Sequence, residues 1–258
     1  MRNKKHTASK AVLITGASSG IGRALALEMA RSGYRLALTA RRYNLLEELR
    51  DEIAREDDER KRATPITLRS LDVRDYEDVL RAIPELAEEL NGLDIVIANA
   101  GVGHRGQVGT GHFAEARETI DINLTGAMAT VDAAATLFRE QGYGHIVGVS
   151  SIAGFRGLPG SAAYSASKAG LSIYLEGVRA ELRRYNVDIT LLHPGFIATP
   201  INESLRRRPF LVDAETAARE IVSLVERRVK ASSVPRMPWS IVGRIFKLLP
   251  RAVIARLQ

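Results

Sequence analysis

Residues 10–40 read KAVLITGASSGIGRALALEMARSGYRLALTA, and this stretch decides the fold. After Lys10, the run AVLIT from Ala11 to Thr15 is short and continuously apolar, as a strand buried on both faces requires. Gly16-Ala17-Ser18-Ser19-Gly20-Ile21-Gly22 follows as a glycine-rich turn, and from Arg23 to Arg31 the residues Leu25, Ala26, Met29 and Ala30 recur at helical spacing. Tyr34 to Ala40, YRLALTA, predicts a second strand, so the unit is a parallel strand pair joined by a helical crossover. The free amide hydrogens and positive dipole end of that helix face the turn and make an anion site, which glycines let a ligand approach closely.

Two common phosphate-binding templates do not fit this turn. A Walker loop needs Gly-Lys-Ser/Thr where Ile21, Gly22 and Arg23 stand, and the dinucleotide fingerprint needs Gly or Ala where Leu25 stands. The end of the second strand is more informative. An NAD site normally places an acid roughly 20 residues beyond the glycines, whereas an arginine there accommodates the 2′-phosphate of NADP. Here Ala40 is followed by Arg41 and Arg42 with no acid, so NADP(H) is expected over NAD(H), with Arg41 at the phosphate.

Further along, residues 43–62 carry a charged helical pattern, and Ile66 to Val73 predicts a third strand ending at Asp72. A helix over 76–90 leads to a fourth strand, LDIVIANAG, running into Asn99-Ala100-Gly101. Repeated alternation of strand and helix argues for an α/β fold of the Rossmann-like kind, a doubly wound parallel sheet in a single domain. Ligands of such sheets sit beyond the carboxyl ends of the strands, where Gly16, Arg41, Asp72 and Asn99 all lie.

In the second half, a glycine-rich loop spans Gly101 to Gly111, and one helical segment over 113–139 carries Asn123. A fifth strand, 144–151, ends in Ser150-Ser151. Gly148-Val149-Ser150-Ser151 begins like a hydrolase nucleophile elbow but has Ile152 where glycine is needed, which leaves a strand-end serine able to hydrogen-bond a substrate oxygen. The next helix, to about Tyr185, bears Tyr164 and Lys168 four residues apart, hence on one face. A phenol is almost wholly protonated at neutral pH, and an ammonium one turn away favours the phenolate. Val187 to His193 predicts a sixth strand broken by Pro194-Gly195 and leading to Thr199, and Asp213 caps a helix to about Val229.

Composition bounds the rest. A chain of 258 residues, 45% hydrophobic and 26% charged, fits one sizeable domain. Without cysteine there are no disulfides, thiolate nucleophiles or cysteine metal sites, and the five histidines lack metal-ligand spacing, so no metal is expected. The first ten residues are polar and basic, and no apolar run is long enough to span a bilayer, so a cytoplasmic location is expected. The net charge of +7 invites an anionic partner, but 37 basic and 30 acidic residues are interspersed and no recognition motif is present, so nucleic acid is not expected.

With these residues in place, the chain resembles the short-chain dehydrogenases/reductases from about Val12 to Val229, with the motifs in the family's order. TGASSGIG at Thr15 to Gly22 is similar to the family's Gly-x-x-x-Gly-x-Gly cofactor loop, and ANAG at Ala98 to Gly101 to its NNAG, with Ala98 replacing the first asparagine. The resemblance implies that Ser151, thirteen residues before the tyrosine, is the catalytic serine, that Tyr164 is the proton donor and that Lys168 lowers its pKa and binds the nicotinamide ribose. It also implies that Asn123 completes a proton relay through a water. By the same resemblance the cofactor contacts are Gly16, Ser18, Ser19, Gly20, Ile21, Gly22, Arg41, Asp72, Val73, Asn99, Ala100, Gly101, Tyr164, Lys168, Pro194, Gly195, Ile197 and Thr199. The implied reaction is reversible hydride transfer between nicotinamide and a carbonyl or secondary alcohol, with a homodimer or homotetramer as the assembly. An NADP(H)-binding regulator without turnover is the alternative reading.

Beyond Val229 the resemblance thins. Many family members end in a seventh strand and an Asp-Gly-Gly turn; the corresponding stretch here, KASSVPRMPW, is without that turn. The expected layout is a basic tail over 1–9, the Rossmann domain over 10–238 and an amphipathic, basic helical segment over 239–258, divided by Pro250 into two short helices. Such a segment can cover the substrate cleft, pack against a second subunit or make peripheral contact with an anionic membrane. Arg206, Arg207 and Arg208 offer a clamp for an anionic group or a solvated face.

Overall fold

The structure is a computed structural model that describes residues 9–61, 63–203, 205 and 207–248. Its frame is one sheet of seven parallel strands in the order β3-β2-β1-β4-β5-β6-β7. The strands are β1 (Ala11–Thr15), β2 (Arg35–Ala40), β3 (Ile66–Ser70), β4 (Ile95–Ala98), β5 (Gly144–Val149), β6 (Val187–Pro194) and β7 (Ala231–Val234). Central β1 pairs with both β2 and β4, Val12 lying opposite Leu36 on one side and Ile95 on the other. The order reverses between β1 and β4, and at such a switch point the loops diverge and leave a crevice.

Helices cover both faces, which is why the strands read as continuous apolar runs. Helices α1 (Gly20–Arg31), α2 (Tyr43–Glu59) and α7 (Ala214–Glu226) bury Leu25, Leu49 and Ile221 with Val12 and Ile14 on one face. Helices α3 (Tyr76–Glu89), α5 (Ala127–Gln141) and α6 (Ala162–Leu182) bury Ile83, Phe138 and Leu175 with Ala11 and Leu13 on the other. The Asp213 carboxylate accepts the Thr216 amide hydrogen at 2.6 Å, so it caps α7 as its sequence position predicts.

Three expectations are corrected. The third strand stops at Ser70 rather than running to Val73, because β2 ends at Ala40, whose carbonyl takes the Leu71 amide as the last rung; Asp72 then turns back to accept the Arg74 amide hydrogen at 3.0 Å. The helix over 113–139 is three pieces: α4 (Phe113–Ile120), a π-helical turn (Asp121–Gly126) and α5, with Asn123 inside the π turn. The seventh strand is present although the Asp-Gly-Gly turn is not, held to β6 through pairs such as His193 opposite Ser233. Finally, the terminal helix α8 (Arg236–Leu248) begins before Trp239, with non-helical Met237 near its start; Pro250 and the division expected there lie outside the described residues, as does Arg206.

Candidate active site

The glycine turn after β1 owes its shape to backbone constraints. Gly16 and Gly20 have φ of +70° and +57°, in the left-handed region that glycine adopts without penalty. A Cβ on Gly22 would stand 2.3 Å from the Gly16 carbonyl oxygen and 2.5 Å from Asn99 Nδ2, so α1 and the turn approach to the limit that hydrogen permits. Asn99 braces the turn from β4: its Nδ2 donates to the carbonyls of Thr15 at 2.9 Å and Gly16 at 3.3 Å, while its amide donates to Thr15 Oγ1 at 3.1 Å. No side chain caps α1, which leaves its first amide hydrogens turned toward the loop. Thr199 sits against this helix start, 3.4 Å from a Cβ on Gly20.

Basic charge gathers at the same edge. The Arg42 guanidinium donates to Ser18 Oγ at 3.1 Å and Ser19 Oγ at 2.9 Å. Arg41, the residue singled out from the sequence, points the other way, 3.7 Å from Glu118, which also lies 3.4 Å from Arg74 and 2.9 Å from His104. Asp72 is held well below the usual carboxylate range, chiefly by its hydrogen bond from Arg74, with Arg41 adding to the effect. Sequence reasoning noted the arginine pair but placed only Arg41 in the site; the visible signal for Arg42 is a second arginine following the turn's two serines in space. An uncapped helix start, a turn too close for any side chain and an arginine over two hydroxyls fit an adenine dinucleotide in charge and shape.

At the end of β5 the catalytic candidates converge. Lys168 is 5% exposed, and its Nζ donates to the Val149 carbonyl at 2.8 Å. Among the described residues no carboxylate pairs with it, and burial brings its pKa down to about 8. Its Nζ lies 5.9 Å from the centre of the Tyr164 ring. Burial pushes the Tyr164 phenol up, while a hydrogen bond from Ser151 pulls it down. Ser151 accepts the Ala153 amide hydrogen at 3.1 Å and lies 3.4 Å from the Pro194 carbonyl, so the strand-end serine is fixed from two sides.

The neighbours serve to hold this group. Ser150 Oγ donates to the Lys168 carbonyl at 2.8 Å and meets Ser172 Oγ at 2.9 Å, pinning α6 to the end of β5. A Cβ on Gly154 would stand 2.9 Å from the Ala169 amide, so the turn after Ser151 lies directly on α6. Asn123, fully buried, accepts the Val102 amide hydrogen at 2.8 Å and donates to the Val102 carbonyl at 2.9 Å and to Ser167 at 3.3 Å. A Cβ on Gly101 would stand 3.2 Å from Asn123 Oδ1 and 3.5 Å from Lys168 Nζ, which places the two polar groups on either side of one glycine. The π turn aims the amide there; π turns in α-helices recur at functional sites.

The other predicted cofactor residues fall in three places. Ala100 and Gly101 continue from Asn99 past the glycine turn, and the Ala100 amide donates to Thr15 Oγ1 at 3.2 Å. Ile197 is fully buried, with its carbonyl accepting from Thr199 Oγ1 at 3.2 Å and from Asn202 at 2.9 Å. Pro194 closes β6, and Gly195 donates its amide hydrogen to the Val234 carbonyl at 2.8 Å. Val73 packs under the π turn, where a Cβ on Gly126 would stand 2.7 Å from its carbonyl oxygen.

One feature was not read from the sequence. Trp239 of α8 lies on Gly195 so closely that a Cβ there would be 2.2 Å from the indole Nε1, and its ring meets Phe196 and Phe210 edge-on at 5.9 and 5.6 Å. Gly243, one turn on, lies against Phe155, where its Cβ would stand 2.8 Å from Cε2. The C-terminal helix thus packs beside the cleft, between the segments that follow β5 and β6.

A seven-stranded parallel sheet with this edge defines a Rossmann-type oxidoreductase. The short chain dehydrogenase family profile matches residues 10–209, and the chain belongs to that family. It is 40% identical over 247 residues to an oxidoreductase of Myxococcus xanthus, covering 93% of each chain, and 37% identical over 246 residues to one of Mycobacterium tuberculosis, covering 95% of this chain and 96% of the relative. Both are called uncharacterized. Among solved structures, the alcohol dehydrogenase of Thermococcus sibiricus complexed with 5-hydroxy-NADP is 27% identical, with a TM-score of 0.77 over 87% of this chain and 94% of that one. A Burkholderia phymatum family member in complex with NAD shares the fold, with a TM-score of 0.81 over 92% of each chain at 23% identity. No helix among the described residues is long and apolar enough to cross a membrane.

Proposed function

We propose that this chain is an NADP(H)-dependent reductase/dehydrogenase acting on a carbonyl or secondary alcohol. The observation that carries the reading is the buried Lys168, without an anionic partner among the described residues, on the face of α6 that holds Tyr164, whose phenol is hydrogen-bonded to Ser151. Burying an ammonium without a carboxylate costs stability, so its retention beside a phenol points to chemistry rather than packing.

When bound, the nicotinamide supplies or accepts the hydride. In the reducing direction Tyr164 gives its proton to the carbonyl oxygen while Ser151 holds that oxygen, and the Lys168 ammonium lowers the cost of the phenolate left behind. Asn123 fixes the loop behind the lysine through Val102 and offers the next polar group toward solvent. The uncapped start of α1 with Gly16, Ser18, Ser19, Gly20, Ile21 and Gly22 would hold the diphosphate, and Asp72 and Val73 would flank the adenine. Asn99, Ala100, Gly101, Pro194, Gly195, Ile197 and Thr199 would line the remaining length. Preference for NADP(H) rests on the absence of an acid after β2, with Arg42 over Ser18 and Ser19 and Arg41, turned to Glu118, as the second arginine at that strand end.

In this reading the enzyme is cytoplasmic, works on a small molecule without nucleic acid, and assembles as a homodimer or homotetramer. Residues 10–238 form the catalytic domain and 239–258 an interaction element with a face for peripheral membrane contact. The test is a screen of carbonyl compounds followed by NADPH absorbance, with Tyr164→Phe as control. Turnover that the control abolishes supports the reading; cofactor binding without any turnover would make the chain a regulator.

A further inference from the structure

Helix α8 is apolar on two sides. One side carries Trp239 and Gly243 onto Gly195 and Phe155, so it is spent on the protein itself. The other side presents Ile241, Ile245 and Leu248, 53, 54 and 84% exposed, at the spacing that places them on one face, with Met237 60% exposed at its head. Phe210, 53% exposed in the loop before α7, belongs with the covered side, its ring 5.6 Å from that of Trp239. An apolar helix face is stable when it is covered, and nothing among the described residues covers the face of Ile241, Ile245 and Leu248.

The charge around the stripe identifies the cover. Arg236 and Arg244 of α8 itself are exposed, and the chain as a whole carries +7. The remaining sequence repeats the pattern, with Leu249, Val253, Ile254 and Leu257 among Arg251 and Arg256. A second copy meeting this face about a two-fold axis would bring arginines against arginines, which the low dielectric of an interface penalises. An acidic lipid surface complements both features, since its headgroups attract the arginines and its acyl region receives the isoleucines. We propose that α8 docks the protein on an anionic membrane surface.

The proposal depends on α8 and not on the reaction at Tyr164, so each can fail without the other. The experiment uses the full chain, sedimented with vesicles of phosphatidylcholine alone or mixed with phosphatidylglycerol. Binding to the mixed vesicles alone is expected, weakening as salt rises. The variant Ile241→Glu/Ile245→Glu should lose it by about tenfold or more, with unchanged unfolding temperature and unchanged NADPH affinity. Equal sedimentation of the variant, or none of the wild type with the mixed vesicles, overturns the proposal. A fall in the sedimenting mass of the variant without vesicles, in a wild type that binds none, would overturn it in favour of a second copy.

Discussion

The two ends of the crevice are built in different ways. At β1 and β2 the site is backbone: glycines at the limit of approach, an uncapped helix start and the Asn99 brace. At β6 and β7 it is side chain: an indole laid on Gly195 and a helix seated over Phe155. The first arrangement suits a ligand whose phosphates are constant, because amide hydrogens cannot vary with sequence. The second suits a partner that differs between relatives, because exchanging a ring reshapes the wall without touching the sheet.

That contrast can be broken from either end, and the largest effect belongs to the side-chain end. Trp239→Ala removes a buried ring that holds α8, and should cost about 3–5 kcal/mol of unfolding free energy, read by denaturant titration, while NADPH affinity changes less. Trp239 is also the single tryptophan, so its fluorescence in the wild type should shift when ligand reaches Gly195. At the backbone end the order inverts. Gly22→Ala should cost about 1–3 kcal/mol of stability through overpacking but abolish measurable NADPH binding by calorimetry, since the turn must open to admit the methyl group.

Smaller effects sharpen the comparison. Arg42→Ala should weaken NADPH by about tenfold and leave NADH nearly unchanged, and Arg41→Ala tests whether both arginines share that preference. Lys168 gives a pH signature. In the free protein it is an ammonium below pH about 8 and an amine above. Its attraction for a phosphate-bearing cofactor is therefore complete below that pH and lost as pH rises through it. NADPH affinity should fall by up to about tenfold between pH 7 and 9, and the fall should be absent in Lys168→Met.

The frame and the gathering of the candidate residues were legible in the sequence for one physical reason each. Strands buried on both faces must be apolar throughout, so β1, β2, β4, β5 and β6 announce themselves, and catalytic groups must sit at the ends of those strands or at fixed helical spacing. What was hidden depends on contacts distant in sequence. The π turn around Asn123 forms where Gly126 lies on Val73, and nothing within 113–139 marks that meeting. Strand β7 is only ASSV, half exposed, and becomes a strand because β6 offers an open edge. The direction of Arg42 toward Ser18 and Ser19, and the seating of Trp239 on Gly195, are likewise settled by the assembled fold and have no local signature.

The central claim is hydride transfer at the Tyr164, Lys168 and Ser151 cluster. It is tested most directly by supplying NADPH deuterated at the transferable position with a carbonyl substrate and weighing the alcohol formed. The account predicts deuterium at the carbinol carbon with the wild type, and no product from Tyr164→Phe while that variant still binds NADPH. Alcohol formed without deuterium, or formed equally by Tyr164→Phe, would contradict it.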